Sequence, residues 1–241
     1  MKKRIRLTLC ALALLTLGGL SPVLAAPRGY SDTGMDYIEG SSDLRLWSIG
    51  FYSDGRIRDV EISDLPYRLE TSKVMGYIGR DLTRWMVLYA TAGSCKFEVQ
   101  SSLATQESSS EYGVGLKINL LDHEIMDPTL LEDQIRLNAT FQYSGSEFEW
   151  LGRTRKLTEL SGHLTFGIVN DIEGNVLFRP NGIGVFAGGV YSTFVSGDIQ
   201  ERDTLGYTAG LEIYYTEKVT LDVRLEGFDD LTYLGGIHIR L

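Results

Sequence analysis

Cysteine and histidine are scarce in this chain. Its 241 residues include two cysteines, three histidines and five prolines. Cys10 lies inside an apolar run near the N-terminus, so removal of that run would leave Cys95 alone and no disulfide could form within the chain. His123, His163 and His238 are too scattered to have the spacing of metal ligands. We therefore expect a fold held by packing and hydrogen bonds, with no metal and no cofactor.

Basic charge and long apolar segments are scarce as well. Lys and Arg number 23 against 32 Asp and Glu, and four of the basic residues fall within the first six positions. Residues 26–241 therefore hold 19 basic and 32 acidic side chains, a net charge of −13. Nucleic-acid binding is not expected, because phosphate contacts need clustered Lys and Arg. Beyond residue 25 no segment approaches the roughly 18 uninterrupted apolar residues of a spanning helix, so such a helix is excluded.

The first 25 residues have the three-part layout of a secretory signal. Four basic residues precede an apolar run over Leu7–Leu20, and small residues then lead to a predicted cleavage site after Ala25. An uncleaved membrane anchor is the alternative, but the run is shorter than the ~20 residues that a spanning helix needs. The sequence thus predicts export, with residues 1–25 removed.

The later part of the chain alternates between apolar and polar residues, most clearly over Gln134–Tyr143. Successive side chains of a strand leave the backbone on opposite faces, so a period of two predicts β-structure. One face holds Ile135, Leu137, Ala139, Phe141 and Tyr143, and the other holds Gln134, Arg136, Asn138, Thr140 and Gln142. Repeated ~10-residue strands of this kind in an exported chain are typical of a transmembrane barrel, apolar outside and polar within.

We predict an all-β fold, an antiparallel up-and-down transmembrane β-barrel of about ten strands. Eight or twelve strands are the alternatives, because residues 93–110 and 170–181 are ambiguous. The predicted division is a signal over 1–25, an N-terminal periplasmic segment over 26–43 and the barrel over 44–241. The predicted strands are 44–52, 73–80, 84–92, 111–121, 134–143, 158–169, 182–194, 205–215, 219–226 and 230–241, and the longer predicted outer loops are 53–72, 93–110, 144–157 and 195–204.

The last two hairpins allow a test of register, since antiparallel neighbours must place their apolar faces on the same side. Tyr215 can oppose Val219 across three residues. Glu226 can oppose Asp230 around Gly227, Phe228 and Asp229. Both arrangements are acceptable short hairpins, and both keep one face apolar.

The same register gathers a polar cluster inside the predicted barrel. It places Glu212 opposite Asp222, with Arg224, His238 and Arg240 on neighbouring polar positions. Facing carboxylates can raise one another's pKa and support acid–base chemistry. The preferred interpretation is a salt-bridge network that fills the lumen, so these residues are a candidate lumenal cluster and not a catalytic site.

His163 lies on the polar face of a predicted strand, within Ser161–Thr165. A hydroxyl–histidine–carboxylate site would need partners that the sequence does not place beside it. We therefore predict no catalytic residue.

These features resemble the small outer-membrane β-barrel proteins of Gram-negative envelopes, the OmpA-type and porin-like group. The resemblance rests on the signal, the amphipathic strands and a final alternating strand over Leu231–Leu241. Leu241 stands where an aromatic residue is usual in that group. The resemblance implies a place in the cell outer membrane, contact with its lipid, and recognition of the last strand by the barrel assembly machinery.

The expected function is that of a non-enzymatic outer-membrane barrel with a structural, surface-interaction or narrow-pore role. Wide aqueous channels need about 16 strands, so a ten-stranded lumen holding residues such as Lys117, Arg136 and Glu226 should be plugged or narrow. One alternative is an outer-membrane enzyme that modifies envelope lipid. The other is a soluble exported β-barrel that binds a small apolar ligand, since alternation alone does not say which solvent meets the apolar face.

Overall fold

A computed structural model describes residues 47–62, 65–83, 85–100, 105–125, 133–150, 153–171, 180, 182–195, 199–215 and 219–241. The predicted signal and the predicted periplasmic segment lie outside these ranges, as do residues 44–46 of the predicted barrel. Within the described ranges every regular element is a β-strand. No helix in them is long and apolar enough to cross a membrane.

The strands form one antiparallel sheet that closes on itself. Each strand pairs with its sequence neighbour, except that β9 pairs with β7, and β11 returns to pair with β1. Ten strands therefore form a closed barrel, which confirms the predicted fold class and strand number. The short β8 pairs with β1 beyond the end of β11. The strands are β1 Trp47–Ile62, β2 Leu65–Thr83, β3 Met86–Gln100, β4 Thr105–Ile125, β5 Asp133–Trp150, β6 Arg153–Asp171, β7 Gly182–Phe194, β8 Ile199–Glu201, β9 Leu205–Tyr214, β10 Val219–Gly227 and β11 Leu231–Arg240.

The first six strands are much longer than the sequence led us to expect. β1 pairs with β2 as far as Ile62 and Leu65, so the predicted outer loop 53–72 is wrong. The predicted loops 93–110 and 144–157 are largely strand as well, and 195–204 contains β8. Their outward residues include Ser94, Lys96 and Glu98, whereas inward positions such as Cys95 and Phe97 are apolar.

We divide the barrel into two regions. The base is the ten-stranded part that contains Trp47 and Leu241. The extension is the set of strand ends that continue beyond the pairing of β11 with β1 at Asp54 and of β7 with β6 at Glu159. The extension comprises residues 55–62, 65–72, 94–100, 105–110, 145–150 and 153–158.

In the base, apolar side chains point outward. A row of large apolar side chains around the barrel is exposed, with Phe51 at 64% and Val114 at 56%. Polar partners on the opposite face are buried, as Arg136 shows at 3% exposure. The outward residues include Trp47, Val74, Ile78, Leu88, Tyr112, Phe141, Tyr143, Leu164, Phe166, Val185, Leu211, Val223 and Tyr233.

In the extension the same alternation is inverted. Along β3, Leu88 points outward in the base, whereas Ser94 and Lys96 point outward in the extension. The inward residues change in the opposite direction, so that Cys95 and Phe97 are fully buried. Because the phase of the strand does not change, one face of β3 is apolar outside the base and polar outside the extension.

The apolar inward residues of the extension form a hydrophobic core together with Ile199 of β8. Phe97 of β3 stacks on Phe148 of β5, with ring centroids 4.6 Å apart. Tyr67 and Phe194 pack against the cluster from its edge. Packing of this kind across the lumen fills the extension. The buried members are Val60, Ile62, Leu69, Cys95, Phe97, Val99, Phe148, Leu157 and Ile199.

The register of the two tested hairpins is right in one case and wrong in the other. The amide of Tyr215 donates to the carbonyl of Val219 at 2.9 Å, as predicted. Glu226, however, pairs with Thr232 and not with Asp230. The error is two residues, so each side chain keeps its face, because the alternation fixes parity but does not fix the length of the turn.

Candidate functional site

A layer of buried ion pairs crosses the lumen where the base meets the extension. It is formed by inward side chains of five strands, and each of them is at most 9% exposed. The inward parity of the strands brings these charges together, because they occupy the level at which the polar lumen of the base meets the apolar core of the extension. We call Asp54, Arg56, Lys73, Glu111, Glu159 and Glu226 the ion-pair layer.

Arg56 and Glu159 lie at the centre of this layer. Arg56 Nη1 donates to Glu159 Oε1 at 2.6 Å, and Arg56 Nη2 lies 3.4 Å from Glu226 Oε2. Asp54 Oδ2 lies 3.0 Å from Arg56 Nε. One guanidinium therefore contacts carboxylates from three strands.

Lys73 extends the layer towards β4. Its Nζ lies 2.9 Å from Glu111 Oε1 and 3.3 Å from Glu159 Oε2. Ser192 also donates to Glu159, at 2.7 Å. A buried charge is tolerated only when it is paired, and each charge of this layer lies within 3.4 Å of an opposite charge. The layer and the core above it close the described lumen on the side of the extension.

Arg58 of β1 contacts both β7 and the β10–β11 turn. Its guanidinium donates to Ser192 Oγ at 3.1 Å and lies 4.0 Å from the ring centroid of Phe228. Its Nε lies 3.9 Å from Asp229 Oδ2. The guanidinium thus joins β1 to the β10–β11 turn and to β7, which stabilises the edge of the extension beside β1.

The base contains a cavity of about 280 Å³ that reaches from the ion-pair layer to the strand ends near Trp85 and Arg240. All five residues of the predicted lumenal cluster line it, namely Glu212, Asp222, Arg224, His238 and Arg240. Glu212 and Asp222 occupy directly paired positions of β9 and β10. The structure thus places the predicted cluster in one compartment.

The five residues do not form a single network, however. Glu212 accepts a hydrogen bond from Tyr214, whose oxygen accepts one from Arg136 at 3.0 Å. Asp222 is bonded to His238 instead. The two carboxylates are therefore held by different partners and do not act as a facing pair.

The two arginines of the predicted cluster have partners of their own. Arg240 lies 3.8 Å from Asp81. Arg224 lies 3.9 Å from Glu226 and has its guanidinium 5.4 Å from the ring centroid of Phe186. Each cation is therefore matched to a different carboxylate on the lumenal wall.

A hydroxyl–histidine–carboxylate chain lies at His238. The Tyr77 hydroxyl is 2.6 Å from His238 Nδ1, and His238 Nε2 is 2.5 Å from Asp222 Oδ1. A carboxylate only accepts, so Nε2 carries a hydrogen and donates to Asp222. When the ring is neutral, Nδ1 accepts from the Tyr77 hydroxyl, and when the ring is charged, Nδ1 donates to the Tyr77 oxygen. Gly50 makes room for this arrangement, because a Cβ there would overlap the Tyr77 ring.

His163 also has a carboxylate partner that the sequence did not place beside it. Its Nε2 lies 2.9 Å from Glu226 Oε1. The contact ties β6 to the ion-pair layer. Among the described residues, no group of His, Cys, Asp and Glu is arranged to hold a metal ion.

Sequence reasoning missed the centre of the ion-pair layer and Tyr77. Arg56 fell in a predicted outer loop, and Lys73 was left at the first position of a predicted strand. Their alternation with Ile57 and Val74 was the available signal. Tyr77 belongs to the polar face of β2, but its partner His238 is 161 positions away, and no local pattern joins the two.

Cys95 lies in the extension, beyond the apolar exterior of the base, and it forms no disulfide. It is fully buried among the apolar residues of the core. Burial raises the pKa of Cys95 to about 12. The thiolate, which is the reactive form, is therefore scarce in the folded protein.

No protein-family model and no curated protein matches the chain. Solved structures similar to it include an outer membrane channel from Pseudomonas putida F1, with a TM-score of 0.40 and 10% identity over 88% of this chain and 100% of that one. The β domain of the Bordetella autotransporter BrkA has a TM-score of 0.42 and 10% identity over 83% and 100%. The translocator domain of autotransporter NalP from Neisseria meningitidis has a TM-score of 0.39 and 10% identity over 83% and 89%. Likeness this distant supports no conclusion about function.

Proposed function

We propose that this protein is an outer-membrane β-barrel that does not conduct solutes and that holds the extension outside the membrane as a rigid surface. The observation that carries the proposal is the inversion of polarity along single strands. An apolar exterior suits hydrocarbon, and a polar exterior suits water. A soluble barrel would need a polar exterior along its whole length, which the base does not have.

The filled lumen favours a structural or surface-interaction role over a pore. A solute that crossed the barrel would have to pass both the paired charges around Arg56 and the packed rings of Phe97 and Phe148. Breaking a buried ion pair costs about 3–5 kcal/mol. A narrow pore is the second candidate, favoured by the cavity in the base, and it would require the ion-pair layer to rearrange.

The end of the base that contains Trp47 would face the periplasm, and the extension would face the outside. An exported chain delivers its N-terminus to the periplasm, and β1 begins at this end of the base. The partners proposed are outer-membrane lipid around the base and the barrel assembly machinery, which would engage β11. This strand closes the barrel against β1 over Ser48–Asp54. No catalytic role is proposed, because the carboxylates and histidines of the lumen are held by other side chains.

Four measurements test the proposal. The protein should fractionate with the outer membrane, and unheated samples should migrate differently from heated ones on gels, as closed membrane barrels do. In planar bilayers it should show no steady conductance. Recovery in the soluble periplasmic fraction without detergent would reject the membrane barrel, and steady ohmic channels would favour the pore. A lipid profile that changes on deletion of the protein would instead favour an envelope enzyme.

A further inference from the structure

The cavity of the base has an aromatic wall whose hydroxyl protons are already engaged. With a neutral His238 ring, Tyr77 donates to Nδ1, and Tyr89 donates to Gln142 Oε1 at 3.2 Å. The two rings meet edge to face with centroids 6.4 Å apart. The wall therefore presents ring faces and phenol oxygens with free lone pairs, which favour a hydrogen-bond donor over an acceptor.

Thr91 lies beside this wall and has no partner there. It pairs with Tyr77 across β2 and β3, and it follows Tyr89 on the same face. Its side-chain oxygen is buried, the residue is 4% exposed, and no other described residue bonds to it. Buried polar atoms are nearly always satisfied by protein, water or a ligand. The Thr91 hydroxyl thus marks a position at which a further group would be bound.

The charge of the cavity adds to the preference for a cation. Seven carboxylates and five Lys or Arg side chains line it, so its formal charge is −2 with neutral histidines. Arg224, on the facing wall, is directed towards Glu226 and the ring of Phe186. Aromatic faces also attract cations through the ring quadrupole.

We propose that the base cavity is a binding site for a small organic cation that carries a protonated amine. The ammonium group would donate to the Tyr89 and Thr91 oxygens and lie against the Tyr77 and Tyr89 rings. With about 280 Å³, the cavity lies just below the ~300–1,000 Å³ typical of sites for drug-sized ligands, so the ligand is small. Gly115 helps to form the site, because a Cβ there would overlap the Tyr89 ring.

Three probes with the same ring and different charge test the proposal. The full-length barrel, folded in a non-ionic detergent, is titrated with benzylamine, benzyl alcohol or benzoate and followed by calorimetry and ligand-observed NMR. Benzylamine should bind saturably, benzyl alcohol more weakly and benzoate not at all. Equal or tighter binding of benzoate would overturn the proposal. So would the absence of saturable binding by all three probes, which would mean that the cavity holds only water.

Matched variants separate the cavity from uptake of benzylamine by the micelle. Tyr89→Phe keeps the ring and removes the oxygen, so affinity for benzylamine should fall about tenfold or more, as for loss of a hydrogen bond to a charged group. Thr91→Val should weaken binding in the same direction. Tyr233→Phe is the control, because Tyr233 points outward and is 77% exposed.

Heat-modifiable mobility establishes that each variant folds, and Tyr89→Phe carries the test alone if Thr91→Val does not. Affinity unchanged in Tyr89→Phe would overturn the proposal. This result would leave the proposed function standing, since fractionation and conductance do not depend on the ligand.

Discussion

The extension continues six of the ten strands that form the base, β1–β6, yet the faces of these strands have opposite character in the two regions. β3 turns Leu88 outward in the base and Phe97 inward in the extension without any change of phase. In the base the apolar face meets the surroundings, and in the extension it meets the opposite wall of the barrel. The comparison shows that a period of two predicts a strand. Which of the two faces is apolar, the inward or the outward one, indicates the surroundings of that face.

The boundary between the base and the extension is the level at which apolar and charged inward side chains become neighbours. Both kinds of side chain would be destabilising there without suitable partners. An apolar core cannot adjoin a wet lumen without exposing its lower surface, and lumenal charges cannot adjoin an apolar core without partners. The ion-pair layer meets both requirements, because each of its charges contacts an opposite charge. The ion-pair layer therefore joins the base, whose exterior is apolar, to the extension, whose exterior is polar.

Removal of the central carboxylate should break this junction and have the largest effect. Glu159→Ala leaves Arg56 and Lys73 buried without their shared counter-ion, and we expect a loss of about 3–5 kcal/mol in the free energy of unfolding. The measurement is urea unfolding of the folded barrel, followed by tryptophan fluorescence.

Glu159→Gln is its control, since it keeps the shape and the hydrogen bond from Ser192 but removes the charge. The variant should be less destabilised than Glu159→Ala. If both variants match the original protein in stability, the ion-pair layer does not hold the two regions together.

The second prediction loosens the extension while leaving the base closed. Phe97→Ala removes a stacked ring from the core, at a cost of about 3–5 kcal/mol. Cys95, buried next to it and the one cysteine after residue 25, reports the local opening. Maleimide should label Cys95 much faster in the variant, whereas the heat-modifiable mobility of the barrel should persist.

Phe141→Ala is the matched control for Phe97→Ala, because the Phe141 ring points outward from the base. Its labelling rate should stay at the original value. Fast labelling of Cys95 in the original protein would contradict a packed extension.

The third prediction compares the two exteriors directly. Val114→Lys places a charge on the outward face of the base, and in lipid vesicles it should cost about 2–4 kcal/mol if the site lies near the bilayer centre. Ser94→Lys places the same charge on the outward face of the extension and should change stability by less than about 0.5 kcal/mol. Equal costs at both positions, measured by urea unfolding in vesicles, would refute the assignment of two solvents.

The smallest effect is expected at the exposed pair of the extension. Lys156 Nζ lies 2.9 Å from Glu147 Oε1, but both side chains are more than half exposed. Exposed pairs contribute little because water screens them. Lys156→Gln should unfold at the same urea concentration as the original protein, in contrast to Glu159→Ala, and a clear loss of stability would show that the extension depends on its surface charges.

Much of the fold could be predicted from local pattern. The run around Phe141 alternates cleanly and identified β5, and the hairpin at Tyr215 and Val219 had the right register. The lengths of β1–β6 could not be predicted in the same way, because polar outward residues such as Ser94 and Lys96 look like loop residues when lipid is assumed to surround the whole strand. The alternating apolar residues Cys95, Phe97 and Val99 indicated instead that the strand continues with its inward face buried.

The sequence by itself determined that the chain is a series of two-faced strands, since a period of two is a property of neighbouring residues. It also placed Glu212 opposite Asp222, because a short hairpin fixes that pair. Only the tertiary structure decided that Tyr77 meets His238 and that Arg56 meets Glu159. Those contacts cross a closed lumen, and which side chains face each other there depends on where β11 returns to β1, a register that no single segment encodes.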